Sequence, residues 1–294
     1  METVLVTGGR GASGRWIVDR LAGDYEVVVV DYDHPGLGVD PAPHVSFRAA
    51  DLAERDQALD VVAAVDPDAV VHWAAIPVAG THPEGRVFET NALAAKHVLD
   101  AAGRADAPVV QASSDGAYGF FFAEPTPFPD ELPVTEAHPL RPEDPYGLSK
   151  VTAEAAAGAA ARRHGVPAVS VRPSWIQYPG AYACRAEEYV TDLDAGAGNF
   201  WSYVDARDVA ELVAAALESP HSGHEAVNCV GPDNALGRPL PELMREQYGR
   251  LPDDCAVEGD AAAYSVAKAE RLFGWEPTHS WREASDEEVA PPDV

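Results

Sequence analysis

Tyr146 and Lys150 form a pair whose residue types and spacing suggest chemistry. They stand four positions apart in a segment of helical character, so both side chains lie on one face of the helix, one turn apart. A free phenol has a pKa near 10 and is a poor base at neutral pH, but a neighbouring ammonium group favours the phenolate. The spacing predicts that Tyr146 exchanges a proton with a bound molecule and that Lys150 lowers the pKa of Tyr146.

A glycine-rich loop near the N-terminus indicates a second function. Gly8, Gly11 and Gly14 lie between a strand-like and a helix-like segment. Such glycines permit a tight turn, let the backbone approach a pyrophosphate and pack helix on strand, while the helix N-terminus offers free N–H groups to phosphate. The loop therefore predicts a dinucleotide site. Its expected contacts are Gly8, Arg10, Gly11, Ala12, Ser13 and Gly14.

The identity of the dinucleotide depends on two opposed charges. Asp31 closes the second predicted strand, where an acidic side chain accepts hydrogen bonds from ribose hydroxyls and repels a 2′-phosphate, which favours NAD. Arg10 lies in the loop beside Gly11, where a guanidinium would meet a 2′-phosphate, which favours NADP. Both NAD and NADP stay open.

The elements that must position these groups alternate between strand and helix, which predicts an α/β fold with a parallel sheet. A continuous apolar run at residues 27–30 suits a strand covered by helices on both faces. The predicted strands are 4–7, 27–31, 69–73, 108–113, 168–171 and 226–229. The predicted helices are 13–22, 55–64, 87–102, 146–163, 205–217, 239–248 and 266–273. A proline-rich stretch at 120–145 without periodicity is predicted to be a lid over the site, and the acidic tail from Glu283 is expected to fray.

Composition narrows the class of protein. A chain of 294 residues suits one large domain with a small lobe, and no apolar run approaches the roughly 20 residues of a membrane span. The N-terminus carries no export signal, so a cytoplasmic enzyme is expected. Cys184, Cys229 and Cys255 stand far apart, which predicts buried free thiols and neither disulfides nor a metal site.

The charge balance is strongly acidic. A formal net charge of −27 makes nucleic acid an improbable partner, because that binding depends on neutralising phosphates. The composition resembles that of proteins from salt-accumulating halophiles. Self-repulsion on this scale destabilises a compact chain in dilute buffer and is screened at molar salt, where the Debye length is roughly 3 Å.

Several further segments follow the glycine loop in a characteristic order. They are Asp51-Leu52, residues 70–75, Asn91, Ser113-Ser114, Tyr118-Gly119, residues 146–150 and Arg172-Pro173. The set spans about two thirds of the chain and resembles the extended short-chain dehydrogenase/reductase family, also called the NAD-dependent epimerase/dehydratase family.

The resemblance implies a Rossmann-type doubly wound parallel sheet with a small C-terminal substrate lobe. The core would comprise residues 1–172 and 203–230, and the lobe residues 173–202 and 231–294. The resemblance makes Ser114, Tyr146 and Lys150 the catalytic residues. It also implies a homo-oligomer, either a dimer or a tetramer. Further cofactor contacts would be Asp51, Leu52, Ala74, Ala75, Asn91 and Pro173, with Tyr146 and Lys150. The substrate contacts would be Ile76, Ser114, Asp115, Gly116, Tyr146, Ser174, Trp175 and Gln177. His72 would be a packed strand residue.

Departures from the family's motifs bear on the reaction. Dehydratases resembling this chain carry adjacent Asp and Glu after the catalytic serine or threonine, whereas Asp115 is followed by Gly116. Epimerases commonly have an asparagine where Trp175 stands, and an arginine that grips the substrate diphosphate in the run matching residues 199–204, which holds none. The segment after Lys150 is also short for an epimerase.

These departures favour a small polyol over a sugar nucleotide. Trp175, Gln177, Tyr178 and Trp201 would suit a free sugar, whose apolar ring face stacks on aromatic side chains. The chain also resembles the uronate and aldose 1-dehydrogenases, and Arg185 is a candidate partner for a uronate carboxylate. The expected reaction is oxidation of a neutral aldose at C1 to the lactone. A sugar-nucleotide epimerase and a non-catalytic dinucleotide-sensing protein are the alternatives.

Overall fold

The alternating segments form a layered α/β structure in the computed structural model, which describes residues 2–35, 42–77 and 82–294. The strands are β1 Thr3–Thr7, β2 Glu26–Asp31, β3 Val45–Ala49, β4 Ala69–His72, β5 Val109–Ala112, β6 Glu131–Leu132, β7 Ala168–Pro173, β8 Trp175–Gln177, β9 Tyr203–Asp205, β10 His224–Cys229 and β11 Asp254–Cys255. The helices are α1 Gly14–Ala22, α2 Arg55–Val65, α3 Glu84–Arg104, α4 Pro145–His164, α5 Glu187–Thr191, α6 Leu193–Ala197, α7 Ala206–Glu218, α8 Leu240–Tyr248, α9 Ala267–Phe273 and α10 Trp281–Ala284.

Seven strands form one sheet in the order β10-β7-β5-β4-β1-β2-β3, and every pair in it is parallel. The chain runs outward from β1 to β3, then returns to β4 on the other side of β1. This reversal opens a crevice at the carboxyl ends of β1 and β4, the usual place for a ligand in such a sheet. The predicted doubly wound α/β fold is confirmed.

Alternate residues of each strand enter two separate apolar layers, as the two-residue period of a strand requires. Val4 and Val6 of β1 pack with α1, α7 and α9, whereas Leu5 packs with α2, α3 and α4 on the opposite face. Both faces of the sheet are therefore covered, which explains why its strands are continuous apolar runs.

A third apolar cluster brings together side chains from residues 118–134, 200–201 and 230–264. Strand β6 pairs with β11, so Phe120 and Leu132 pack against α8 and its neighbours. The tail is anchored further than predicted, because Arg207 Nη1 donates to Glu287 Oε2 at 2.6 Å.

Of the three free thiols, Cys184 and Cys229 are buried as expected, while Cys255 is half-buried. None of the helices in the described ranges combines the length and apolarity that a bilayer span requires.

Candidate active site

A cavity of about 790 Å³ lies at the carboxyl ends of the central strands. Most of the residues predicted from the sequence line it. These are Gly8, Gly11, Ala12, Ser13, Gly14, Asp31, Asp51, Leu52, Ala74, Ala75, Ile76, Asn91, Ser114, Asp115, Tyr146, Lys150, Pro173, Ser174 and Trp175. Arg10, Gly116 and Gln177 are not among the lining residues.

The glycine loop forms one end of the cavity, where backbone lies against backbone. Gly8 has φ of +68°, and a Cβ there would lie 2.7 Å from the Cα of Ala74. A Cβ at Gly14 would overlap the carbonyl oxygen of Gly8. Because α1 begins at Gly14, its free N–H groups face the cavity. The loop is therefore a backbone cradle that fits the diphosphate of a dinucleotide.

The hydroxyl of Thr7 fixes the end of β4 against this loop. Thr7 Oγ1 accepts hydrogen bonds from the backbone N–H groups of Trp73 and Ala74, both at 3.1 Å. It also lies 2.8 Å from His72 Nδ1. Burial lowers the pKa of His72 to about 3, so the imidazole is neutral, and His72 is a packed strand residue as predicted.

Asn91 fixes the backbone of the segment after β4, which forms part of the cavity wall. Its Oδ1 accepts from the backbone N–H of Ile76 at 2.8 Å, and its Nδ2 donates to Ser149 Oγ at 3.3 Å. Asn91 thus joins the segment after β4 to helix α4. Its side chain shapes the cavity by holding backbone in place.

Three polar side chains meet at the inner end of the cavity. Helix α4 is capped by Asp144, which accepts from Gly147 N–H at 2.8 Å, and this cap places Tyr146 in the first turn. Lys150 Nζ lies 5.4 Å from the centroid of the Tyr146 ring and donates to the carbonyl of Ala112 at 3.0 Å. Ser114 Oγ, at the end of β5, accepts from Gly116 N–H at 3.0 Å.

Gly116 lies under this group without lining the cavity. A Cβ there would lie 3.3 Å from Ser114 Oγ and 3.6 Å from the Tyr146 ring. The small residue therefore lets Ser114 and Tyr146 approach one another.

The electrostatics of Tyr146 differ from the sequence prediction. Burial, together with the charges of Asp115 and Asp144, raises the pKa of Tyr146 to about 12, and only the Ser114 hydroxyl opposes this rise. Burial also lowers the pKa of Lys150 to about 8, against the attraction of Glu154. The prediction that Lys150 lowers the pKa of Tyr146 is wrong for this cavity, because desolvation of the phenolate dominates and Lys150 is not among the groups that shift this pKa.

Aromatic side chains form the other end of the cavity. The rings of Trp175 and Tyr189 meet edge to face at 4.7 Å, and those of Phe122 and Tyr146 at 6.0 Å. Phe121 and Phe122 belong to the segment predicted as a lid, and both line the cavity. Other residues that were not predicted also line the cavity, among them Tyr32, Trp73, Phe121 and Tyr189.

Three residues expected near the substrate are directed elsewhere. Gln177 is buried, donates to the carbonyl of Trp175 and accepts from Cys184 N–H at 3.0 Å, so its amide supports the backbone. Trp201 is buried and donates to the carbonyl of Leu193. Arg185 stacks on the Trp281 ring at 3.7 Å, away from the cavity.

The two opposed charges lie near the end of β2. Asp31 lines the cavity at the end of β2, and Tyr32 beside it is 70% exposed. Arg10 Nη1 donates to the carbonyl of Asp33 at 3.1 Å, which holds the guanidinium at the rim of the same region. The backbone cradle, the acid that ends β2 and the group of Ser114, Tyr146 and Lys150 together fit a nicotinamide dinucleotide.

Comparisons with known proteins agree with this geometry. The family model described as "NAD dependent epimerase/dehydratase family" matches residues 4–230. A UDP-glucose 4-epimerase of Streptococcus mutans is 33% identical, over 93% of this chain and 91% of that protein. An L-arabinose 1-dehydrogenase (NAD(P)(+)) of Haloferax volcanii is 30% identical, over 60% of this chain and 68% of that protein.

A solved UDP-galactose 4-epimerase has the same fold. It superposes with a TM-score of 0.68 and is 27% identical, covering 97% of this chain and 96% of that one. The family model extends over both the glycine cradle and the Ser114, Tyr146 and Lys150 group. The chain belongs to the NAD-dependent epimerase/dehydratase family.

Proposed function

We propose that this enzyme is an NAD(P)-dependent aldose 1-dehydrogenase, which oxidises a neutral free sugar at C1 to the lactone. The supporting observation is the charge of the cavity wall. Lys150 is the one basic side chain among the lining residues that the structure describes, and it is engaged beside Tyr146. A sugar nucleotide brings a diphosphate, which proteins usually grip with arginine. A neutral sugar needs no such cation.

The inner trio provides the proton transfer that this reaction requires. After the Tyr146 and Lys150 pair has lost one proton, Tyr146 in its phenolate form receives the proton of the C1 hydroxyl, Ser114 orients that oxygen, and the ammonium of Lys150 is the counter-charge of the phenolate. The dinucleotide, when bound, supplies the hydride acceptor. The C1–H bond breaks with its electron pair, the C1–O bond becomes a carbonyl, and one proton is released for each dinucleotide reduced.

The aromatic end of the cavity supports a sugar as the substrate. Trp175, Tyr189 and Phe122 present rings to the space beside Tyr146. Sugar rings have apolar faces that stack on such side chains, while their hydroxyls require polar partners. The resemblance to the Haloferax volcanii L-arabinose 1-dehydrogenase points to the same substrate class.

The test is a direct assay of reduced nicotinamide absorbance at high KCl. NAD and NADP are supplied in turn with pentoses, hexoses, uronates and UDP-sugars. We expect reduction with one or more neutral aldoses and none with UDP-sugars. Interconversion of UDP-sugars without net reduction would contradict the proposal.

A sugar-nucleotide epimerase is the second candidate, because the first relatives found in the sequence comparison are UDP-glucose 4-epimerases. Such an enzyme regenerates its dinucleotide in each turnover and retains it through purification. A purified protein that releases no NAD when it is denatured therefore favours the dehydrogenase. A non-catalytic sensing role has less support, since Ser114, Tyr146 and Lys150 lie close enough together to act on one bound molecule.

Asp31 is expected to set the preference for NAD. Replacing Asp31 with serine removes the charge that repels a 2′-phosphate and leaves Arg10 nearby, so the ratio of kcat/KM for NADP to that for NAD should rise by about tenfold or more, equivalent to about 1.4 kcal/mol. Steady-state kinetics with both dinucleotides measure it. Asp33→Ser, which changes an acid outside the cavity wall, is the matched control. An unchanged ratio in Asp31→Ser would remove Asp31 from this role.

We propose in addition that the protein needs high salt. With a net charge of −27, its acidic side chains repel one another at low ionic strength. Molar KCl screens that repulsion. If screening contributes about 3 kcal/mol, Tm should rise by about 6 °C or more between 0.05 and 2 M KCl. Differential scanning fluorimetry measures the rise, with sucrose as an uncharged control. A flat response to KCl would show that the acidic surface is not an adaptation to salt.

A further inference from the structure

The turn at residues 178–181 connects the cavity to the C-terminal tail. Tyr178 lines the cavity, and its backbone carbonyl accepts from Ala181 N–H at 2.8 Å, which closes the turn. Gly180 lies on the same turn, and its backbone N–H donates to the carbonyl of Ala284 in the tail at 2.8 Å. The turn therefore presents a side chain to the cavity and its backbone to the tail.

The phenol of Tyr178 reaches the glycine cradle. Burial raises the pKa of Tyr178, and the charge of Arg15 and the hydroxyl of Ser13 oppose that rise, so the phenol lies beside the start of α1. Ser13 lines the cavity and accepts from Trp73 Nε1 at 3.1 Å. Tyr178 also packs against the apolar layer that contains Trp73. Its side chain thus crosses from the segment after β8 to the loop that fits a diphosphate.

Residues 278–287, here named the strap, lie against the backbone of this turn. Gly180 has φ of +68°, and a Cβ there would overlap the carbonyl oxygen of Glu287. Glycine is the residue that adopts this backbone conformation without cost and leaves room for the carbonyl group. Any side chain at residue 180 would push the turn and the strap apart.

The strap is fixed to the start of helix α7 at both of its ends. The buried carboxylate of Asp208 accepts from the backbone N–H groups of Thr278 and His279, at 3.1 and 3.0 Å. At the other end, Arg207 Nη1 donates to Glu287 Oε2 at 2.6 Å. Helix α7 packs on the main sheet through its apolar residues. The strap therefore has a fixed position relative to the sheet, and it fixes the position of the turn.

We propose that the strap and Gly180 are positioning elements, which hold Tyr178 across the glycine cradle and thereby set the affinity for the dinucleotide. A ring that bridges the crevice hinders the departure of a molecule bound beneath it, and affinity differences between related complexes lie mostly in the dissociation rate. The inference concerns dinucleotide binding alone. It does not depend on which sugar the enzyme oxidises.

The test is a double-mutant cycle on the Kd for NAD, measured by isothermal titration calorimetry at high KCl without sugar. Gly180→Ala displaces the turn and Tyr178→Ala removes the ring, so each should raise the Kd by about tenfold, within the range for residues that interact. The double variant should also bind about tenfold more weakly, because the strap has no effect once the ring is absent. An additive loss of about a hundredfold would overturn the proposal.

Gly223 provides the matched control. It has φ of +72°, and a Cβ there would meet no atom within 4 Å among the described residues. Gly223→Ala therefore carries the same left-handed strain without the contact, and it should leave the Kd unchanged. Equal Kd values in Gly180→Ala and Gly223→Ala would overturn the inference, while the proposed aldose oxidation would still stand.

A second pair of variants covers the case in which Gly180→Ala does not fold. Asparagine enters the left-handed region more readily than alanine and still carries a Cβ. Gly180→Asn should therefore raise the Kd for NAD by about tenfold, and Gly223→Asn should not change it. Equal values in these two variants would count against the strap in the same way.

Discussion

Replacing Tyr146 with phenylalanine is expected to lower kcat for aldose oxidation by about 10³-fold, the range in which general acid–base groups contribute. The variant keeps the ring that packs against Phe122 and loses only the hydroxyl. Binding of the dinucleotide should change little, because the glycine cradle and Asp31 remain. Stopped-flow or steady-state absorbance measures the rate, and titration of intrinsic fluorescence measures the affinity. Tyr25→Phe, outside the cavity, is the control, and substantial activity in Tyr146→Phe would exclude the phenol as the base.

The same assignment predicts a pH profile for the wild type. Oxidation requires that the Tyr146 and Lys150 pair has lost one proton. Because burial brings the pKa of Lys150 to about 8 and that of Tyr146 to about 12, the first proton leaves the pair near pH 8. Below that value kcat/KM should rise about tenfold per pH unit, and it should level off above it. A profile without this rise between pH 6 and 8 would contradict the assignment.

Replacing Glu154 with alanine is expected to destabilise the protein by about 3–5 kcal/mol, since it leaves a buried guanidinium without its anion. Arg172 donates to both oxygens of Glu154, at 2.8 and 2.7 Å, and both residues are buried. Ser113 also donates to Glu154, at 2.5 Å. Equilibrium unfolding in urea at fixed high salt measures the loss. A change below about 1 kcal/mol would show that the pair is solvated in the native state.

A double variant tests whether the Glu154 and Arg172 pair adds to the free energy of unfolding or only offsets the cost of burying its two charges. In Glu154→Leu with Arg172→Met, no charge is left buried, so much of the lost free energy of unfolding should return. Glu154 also raises the pKa of Lys150. Its removal should therefore move the midpoint of the pH profile to lower pH, an effect that packing alone does not produce.

Much of the fold was predictable because burial on both faces leaves a plain record in the sequence. The runs that form β1, β2 and β4 are continuous and apolar, and the helices between them carry one apolar stripe. Strand β3 was missed although Val45 and Phe47 are buried and alternate with polar residues. Five residues at the edge of a sheet give a weak signal.

The cavity was predictable where parallel strands end, since their carboxyl ends meet at one edge. Gly8 and Ser114 follow strands and Asp31 ends one, so all three line the same cavity. Gln177 and Trp201 were misplaced because they lie on and beside the short pair of β8 and β9, whose orientation depends on tertiary contacts. The pKa of Tyr146 was misjudged because the sequence shows the neighbouring lysine but not the depth of burial.

The parallel sheet also determines how the enzyme is assembled during folding. None of the seven strands in the main sheet pairs through a tight hairpin, so each pairing joins segments separated by a crossover. The group of Ser114, Tyr146 and Lys150 draws on the end of β5 and on α4, while the glycine cradle follows β1. Such long-range closures are slow compared with helix formation. Recovery of turnover after denaturation will therefore lag behind recovery of helical structure.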